Sequence, residues 1–93
     1  MDNNLQSFYR LLQDQNLKAF SDFYDQYAGA LYGEAVRKLE DAERAEKVLL
    51  EVFMKAFKEL PRFDFENRGL FTWMLLLTRG HVNALRFPVR NNE

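Results

Sequence analysis

Four stretches of the chain place apolar residues three and four apart, the spacing that gathers side chains on one side of a 3.6-residue helix. The clearest runs from Ala42 to Leu60, where Ala45, Val48, Leu49, Val52, Phe53, Ala56, Phe57 and Leu60 share a side. Asp41 stands at the N-cap position, and Glu43 and Glu46 lie where carboxylates meet the positive end of the helix dipole. Pro61 ends the helix, because the residue before a proline is pushed out of helical conformation. On the other side Lys47, Glu51, Lys55 and Lys58 form a polar face, with Leu50 and Met54 at its margin one turn apart. Either a partner or another helix of the same domain covers that apolar pair.

The remaining elements fall before and after this helix. Leu5, Phe8, Tyr9 and Leu12 predict a first helix of two to three turns, capped by Asn3 or Asn4 and ending near Asp14 to Asn16. A second helix carries Ala19, Phe20, Phe23, Tyr24, Tyr27, Leu31, Ala35, Val36 and Leu39 on one stripe, with Asp22, Asp25, Glu34, Arg37 and Lys38 largely off it. An aromatic stripe of this kind is core. Gly29 and Gly33 each cost that helix roughly 1 kcal/mol relative to alanine, which implies either close approach of a neighbouring backbone or a bend. Leu39 to Asp41 makes a tight connection. The segment from Arg62 to Gly69 is too aromatic for a bland linker and reads as an ordered loop. A last helix starts around Asn67 to Leu70 and runs to about Phe87, where Pro88 halts it. Leu70 to Leu77 occupy nearly every azimuth, so that half is expected to be buried on most sides, followed by a more polar and positive half to Arg86. No stretch alternates as a strand does. The expectation is an all-α, compact bundle of about four helices forming one domain over residues 1–93, with residues 88–93 a flexible tail.

Composition narrows the picture. With 93 residues, 47% of them hydrophobic and 15% aromatic, the chain suffices for one core. There is no cysteine, so neither a disulfide nor a thiolate metal site holds the fold. The first residues lack the basic and apolar blocks of a signal peptide, and the run Leu70 to Leu77 is far too short to span a bilayer. A soluble protein of the cytoplasm, away from membranes, is expected. The formal net charge of −1 hides an asymmetry, because Arg68, Arg79, Arg86 and Arg90 face only Glu93 after residue 66. A basic end of this kind is a modest nucleic-acid footprint.

Catalytic chemistry is sparse. His81 is the single histidine, which rules out a histidine metal cluster. The pairs Asp22 with Asp25 and Glu43 with Glu46 lack the histidine that a helical di-metal site needs, and Gly29 and Gly33 fit no phosphate-loop spacing. No enzyme and no cofactor is expected.

Three groups of residues together carry a resemblance. They are Phe23-Tyr24-x-x-Tyr27 with Leu31-Tyr32; Ala45-Glu46 followed by Glu51-Val52-Phe53-x-Lys55-Ala56-Phe57; and Phe71-x-Trp73-Met74 with Arg79. Over about residues 15–87 the chain resembles region 2 of bacterial sigma factors of the extracytoplasmic-function type. The resemblance implies a helical domain that docks on the clamp helices of the RNA polymerase β′ subunit and reads the promoter minus-ten element. It assigns the polymerase contact to Lys47, Leu50, Glu51, Met54 and Lys55. It assigns binding of promoter DNA, mainly the single-stranded non-template strand, to Arg62, Phe63, Phe65, Asn67, Arg68, Trp73, Arg79, His81, Asn83 and Arg86. Bases would stack on the aromatic rings and phosphates would meet the arginines, although Trp73 sits in the most apolar stretch and also reads as core.

The chain departs from the family's usual pattern in places. Lys47 and Leu50 stand where Asp and Gln are usual, and Gly80 and Ala84, or Asn83 after a one-residue deletion, stand where the final helix usually carries Asn and Asp. These 93 residues leave no room for the helix-turn-helix region that reads the minus-thirty-five element, so the expectation is either a domain cut from a longer factor or a stand-alone protein that cannot recognise a full promoter unaided. A competing expectation is therefore a sigma-like interaction module that binds polymerase, an anti-sigma protein or itself through Leu50 and Met54 without reading DNA, as a monomer or weak homodimer.

Overall fold

The computed structural model describes residues 3–87. The expected stop at Pro88 and the expected flexible tail lie outside the described residues. Four helices follow one another as α1 (Asn3–Gln13), α2 (Leu17–Leu39), α3 (Ala42–Glu59) and α4 (Leu70–Arg86), with a single 3-10 turn at Leu60–Arg62 and no strand among the described residues. The all-α expectation holds, and the boundaries have local causes. Asn3 and Asn4 lie inside α1 rather than ahead of it. Asn16 caps α2 by accepting a hydrogen bond from the Ala19 amide at 2.9 Å, and Asp41 caps α3 by accepting from the Arg44 amide at 3.1 Å. Between α2 and α3 the chain reverses through Glu40, which adopts the left-handed conformation at φ 54° while its N–H bonds the Val36 carbonyl at 2.8 Å. This left-handed cap makes the tight connection between the two helices.

α2 lies against both α3 and α4, which also touch one another, and α1 packs on α2 and the 3-10 turn. The core between them contains Leu12, Phe23, Leu31, Val48, Val52, Leu60, Met74 and Val82, all fully buried. At its centre Phe23 meets Phe53 at 5.4 Å and Tyr27 at 5.1 Å between ring centroids, while Phe20 meets Phe57 edge-on at 5.0 Å. Edge-to-face pairs of this kind add to the area they bury because ring edges are positive and ring faces negative. Two side-chain amides tie the α1–α2 corner across the molecule, Gln15 donating to the Phe57 carbonyl at 2.7 Å and Gln13 to the Phe63 carbonyl at 3.2 Å.

The structure corrects several expectations. α2 is unbroken through Gly29 and Gly33, and a methyl group at either position would meet nothing within 4 Å, so close approach of a neighbouring backbone does not explain them. The first half of α4 is buried on one side only. Leu70, Trp73 and Met74 are in the core, whereas Leu76 is exposed and Phe71 lies at the margin with its ring against Tyr27 of α2. Tyr24 is exposed at the edge of its stripe. Glu34, which lies largely off the apolar stripe of α2, is nevertheless buried.

Candidate functional site

The outer face of α3 is uncovered. Leu50 is 61% exposed and Met54 54% exposed, so no helix among the described residues covers the pair. Lys47, Glu51 and Lys55 are exposed beside them, and all five residues expected to meet a polymerase therefore share one open surface. The pair continues into a groove of about 780 Å³ between α2 and α3, whose lining includes Leu17, Phe20, Tyr24 and Phe57 as well as Leu50 and Met54. Periodicity along α3 could not reveal this groove, because one of its walls comes from α2. Lys55 pairs with Glu59 at 3.1 Å; a solvent-exposed pair one turn apart adds at most a few tenths of a kcal/mol, about 0.3–0.5.

The ten residues expected to bind DNA do not form one surface. Phe63 and Trp73 are 5% and 7% exposed and pack on each other with centroids 4.6 Å apart, so neither presents a free ring to a base. Phe65 is half-buried between Phe63 and Tyr9, stacked on the latter at 4.3 Å. The resulting ladder of rings joins α1, the loop and α4. Arg62 and Arg68 are exposed on the loop, and the Arg68 guanidinium lies over the Phe63 ring at 5.3 Å. Asn67 is engaged, its side-chain amide donating to Asp64 at 2.8 Å. Asp64 also accepts from the Glu66 and Asn67 amides, which organises the loop turn. The bond from the Asn67 side chain is the main reason that the Asp64 carboxyl lies below its usual range, with the two backbone amides and Arg68 adding to it against partial desolvation.

On α4 the structure does bring three candidates together. Arg79, Asn83 and Arg86 are exposed and fall on one stripe of the helix with Thr72 and Leu76, opposite the side that carries Trp73, Met74 and His81. His81 is half-buried, its Nδ1 within 3.0 Å of the Leu77 carbonyl one turn earlier. Thr78, fully buried, satisfies its hydroxyl in the same manner, donating to Met74 at 2.9 Å.

Arg79 has a partner that α4 alone does not disclose. Its Nε donates to Glu34 of α2 at 3.0 Å, and Arg37 and Lys38 meet the same carboxylate at 2.8 and 3.5 Å. The Arg79 hydrogen bond outweighs desolvation and, with the three positive charges, holds the Glu34 carboxyl below its usual value. The local half of the cluster was legible, since Glu34 lies three and four residues before Arg37 and Lys38. The contact to Arg79, 45 residues away, was not.

Comparison with known proteins bears on what such surfaces serve. The chain is 26% identical over 94 aligned positions to the ECF RNA polymerase sigma factor SigK of Mycobacterium tuberculosis and equally to that of Mycobacterium bovis, covering 100% of this chain and 50% of each relative. It is similar to the extracytoplasmic-function sigma factors. A further relative of this class, ECF RNA polymerase sigma factor BldN of Streptomyces coelicolor, is 26% identical over 73 positions, covering 74% of this chain and 28% of its own length. The chain thus spans half the length of the SigK relatives it matches. No family model and no solved structure matches it. The resemblance carried by the aromatic, α3 and α4 residues accordingly extends to whole-chain similarity with sigma factors. Among the described residues, no three acidic or histidine side chains converge as a metal site would require, and no helix is long and apolar enough to cross a membrane.

Proposed function

We propose that this chain acts in transcription initiation in the cytoplasm, docking on core RNA polymerase and contacting promoter DNA as a sigma region 2 domain. The observation that carries the reading is similarity to ECF RNA polymerase sigma factors along the entire chain. The polymerase contact is placed on α3, where Leu50 and Met54 offer apolar area to the β′ clamp helices and Lys47, Glu51 and Lys55 frame it with charge. The minus-ten contact is placed on the exposed stripe Arg79, Asn83 and Arg86 of α4, joined by Arg62 and Arg68 of the preceding loop. Arginines there would meet phosphates of the non-template strand. Phe65 is the ring nearest the surface, so base stacking falls to it rather than to Phe63 or Trp73. The site needs no catalytic group and no cofactor.

A second reading has an observation of its own. The replacement of a usual acid by Lys47 and of a usual amide by Leu50 makes this face less acidic and more apolar, and Leu50 continues into the groove shared with α2. That favours a sigma-like module that binds polymerase, an anti-sigma protein or a second copy without reading DNA. Salt-dependent binding of single-stranded promoter DNA separates the two, and calorimetric titration of the chain with isolated β′ clamp helices, run with Leu50→Asp, tests the polymerase contact. Covering the exposed part of Leu50 stabilises the complex by about 1–2 kcal/mol, and an aspartate there adds the cost of an unpaired charge. Binding lost in the variant supports the polymerase reading. A folded chain that does not bind, with the substitution indifferent, refutes it.

A further inference from the structure

The Glu34 cluster is more than a staple between α2 and α4. Its carboxylate is 8% exposed and uses both oxygens, Oε1 accepting from Arg37 Nη2 at 2.8 Å and Oε2 from Arg79 Nε at 3.0 Å, with Lys38 Nζ at 3.5 Å from Oε2. One carboxylate therefore holds two guanidinium groups from different helices side by side. Three cations against one acid leave a positive excess at this spot. Arg79 commits only its Nε–H, so its terminal nitrogens have no protein partner among the described residues, and the side chains of Arg37, Lys38 and Arg79 all remain substantially exposed. Side chains already held in place lose less freedom when a ligand arrives.

We propose that Arg37, Lys38 and Arg79, gathered on Glu34, bind the phosphate backbone of a nucleic acid as one cluster, with Glu34 as the positioning residue. The inference rests on reading α4 as a nucleic-acid face and extends that face onto α2. A polynucleotide is favoured over an acidic polypeptide for two reasons. Arg79 continues along the same stripe of α4 to Arg86, with the neutral amide of Asn83 between them, so cations recur along a line as phosphates do along a strand. The guanidinium fork also matches phosphate oxygens in two-point geometry, which the Nη atoms left by Nε pairing are placed to supply.

The test is fluorescence anisotropy of the 93-residue chain with a labelled single-stranded oligonucleotide, repeated over a series of salt concentrations. Each phosphate contact contributes about 0.7 to the slope of log K against log salt for a single strand. Arg37→Ala is expected to lower the slope by about that amount, with Lys38→Ala acting in the same direction and Arg37→Lys partly restoring it. Glu34→Gln is the diagnostic variant. It makes the patch more positive, so unpositioned charges would bind more tightly, whereas a positioned cluster binds several-fold more weakly, with circular dichroism confirming the fold.

Several results would overturn the proposal. If Arg37→Ala and Lys38→Ala leave the slope unchanged while Arg86→Ala lowers it, the α4 reading survives and the cluster is only structural. Tighter binding by folded Glu34→Gln removes the positioning role. Competition by polyglutamate as strong as by unlabelled oligonucleotide transfers the surface to an acidic protein. No oligonucleotide binding, with polymerase binding intact, removes the nucleic-acid face and the cluster with it.

Discussion

Replacing Trp73 by alanine separates a core role from a base-stacking one. The indole packs against Phe63 with the rings tilted by 35°, Phe63 meets Phe65, and Phe65 stacks on Tyr9, at successive centroid distances of 4.6, 4.8 and 4.3 Å. Removing a buried large aromatic costs about 3–5 kcal/mol, through lost transfer energy and a cavity that Phe63 cannot fill without abandoning Phe65. A domain of this length has about 5–14 kcal/mol of total stability at 0.05–0.15 kcal/mol per residue, so Trp73→Ala leaves a marginal fold. A loss of about 4 kcal/mol lowers the midpoint by roughly 15–30 °C for a domain of this size. Far-ultraviolet circular dichroism during heating is the suitable assay, because the substitution removes the only tryptophan and its fluorescence. Trp73→Phe keeps a ring against Phe63 and is expected to lose less than half as much. The reasoning is refuted if Trp73→Ala shifts the midpoint by only a few degrees while oligonucleotide binding collapses, since that would make the indole a surface platform.

Other perturbations follow from single features. Gly29→Ala fills open space in the interior of α2 and is expected to stabilise the protein by about 1 kcal/mol, read as a raised denaturation midpoint. Glu40→Gly relieves the left-handed cap at φ 54° and should stabilise by roughly 1 kcal/mol; a loss of stability would show that the Glu40 side chain matters more than its backbone. Glu34 has a lowered folded-state carboxyl value, so its contribution is present above the ordinary glutamate range and disappears as pH falls through the folded value. The stability gap between the wild type and Glu34→Gln should therefore close on acidification below about pH 4.5, the ordinary value. A gap that stays constant to low pH would contradict the charge pairing.

The helices were legible because each is an amphipathic period with its own stop signals. Asp41 caps α3 where a short polar side chain precedes an apolar period, a local effect that needs no partner. α3 ends beside Pro61 as expected, but Leu60 keeps helical backbone at φ −55° and ψ −35° and opens a 3-10 turn, so the N–H that proline lacks ends the α-helix, not a displaced neighbour. Asn16 caps α2 where only the end of α1 was expected. The α3 face was legible for the same reason, since which residues point away from an apolar stripe is a property of one helix. The aromatic loop was also visible as ordered, though not what its rings do.

What lies between elements needed the fold. Whether Leu50 and Met54 are covered depends on where the neighbouring helices pass, and they pass elsewhere. Leu70 to Leu77 are apolar at nearly every azimuth, but the neighbouring helices do not surround α4, which leaves Leu76 in the open and Phe71 at the margin, its ring edge-on to Tyr27 of α2 at 5.3 Å. The DNA candidates were divided by packing alone. Phe63 and Trp73 bury each other, Asn67 serves Asp64, and Arg79 reaches across to Glu34. Local sequence determines which faces a helix offers, because its period is set by backbone hydrogen bonds within a few residues. The tertiary structure decides which of those faces meet, because burial and ion pairing depend on residues far apart in the chain.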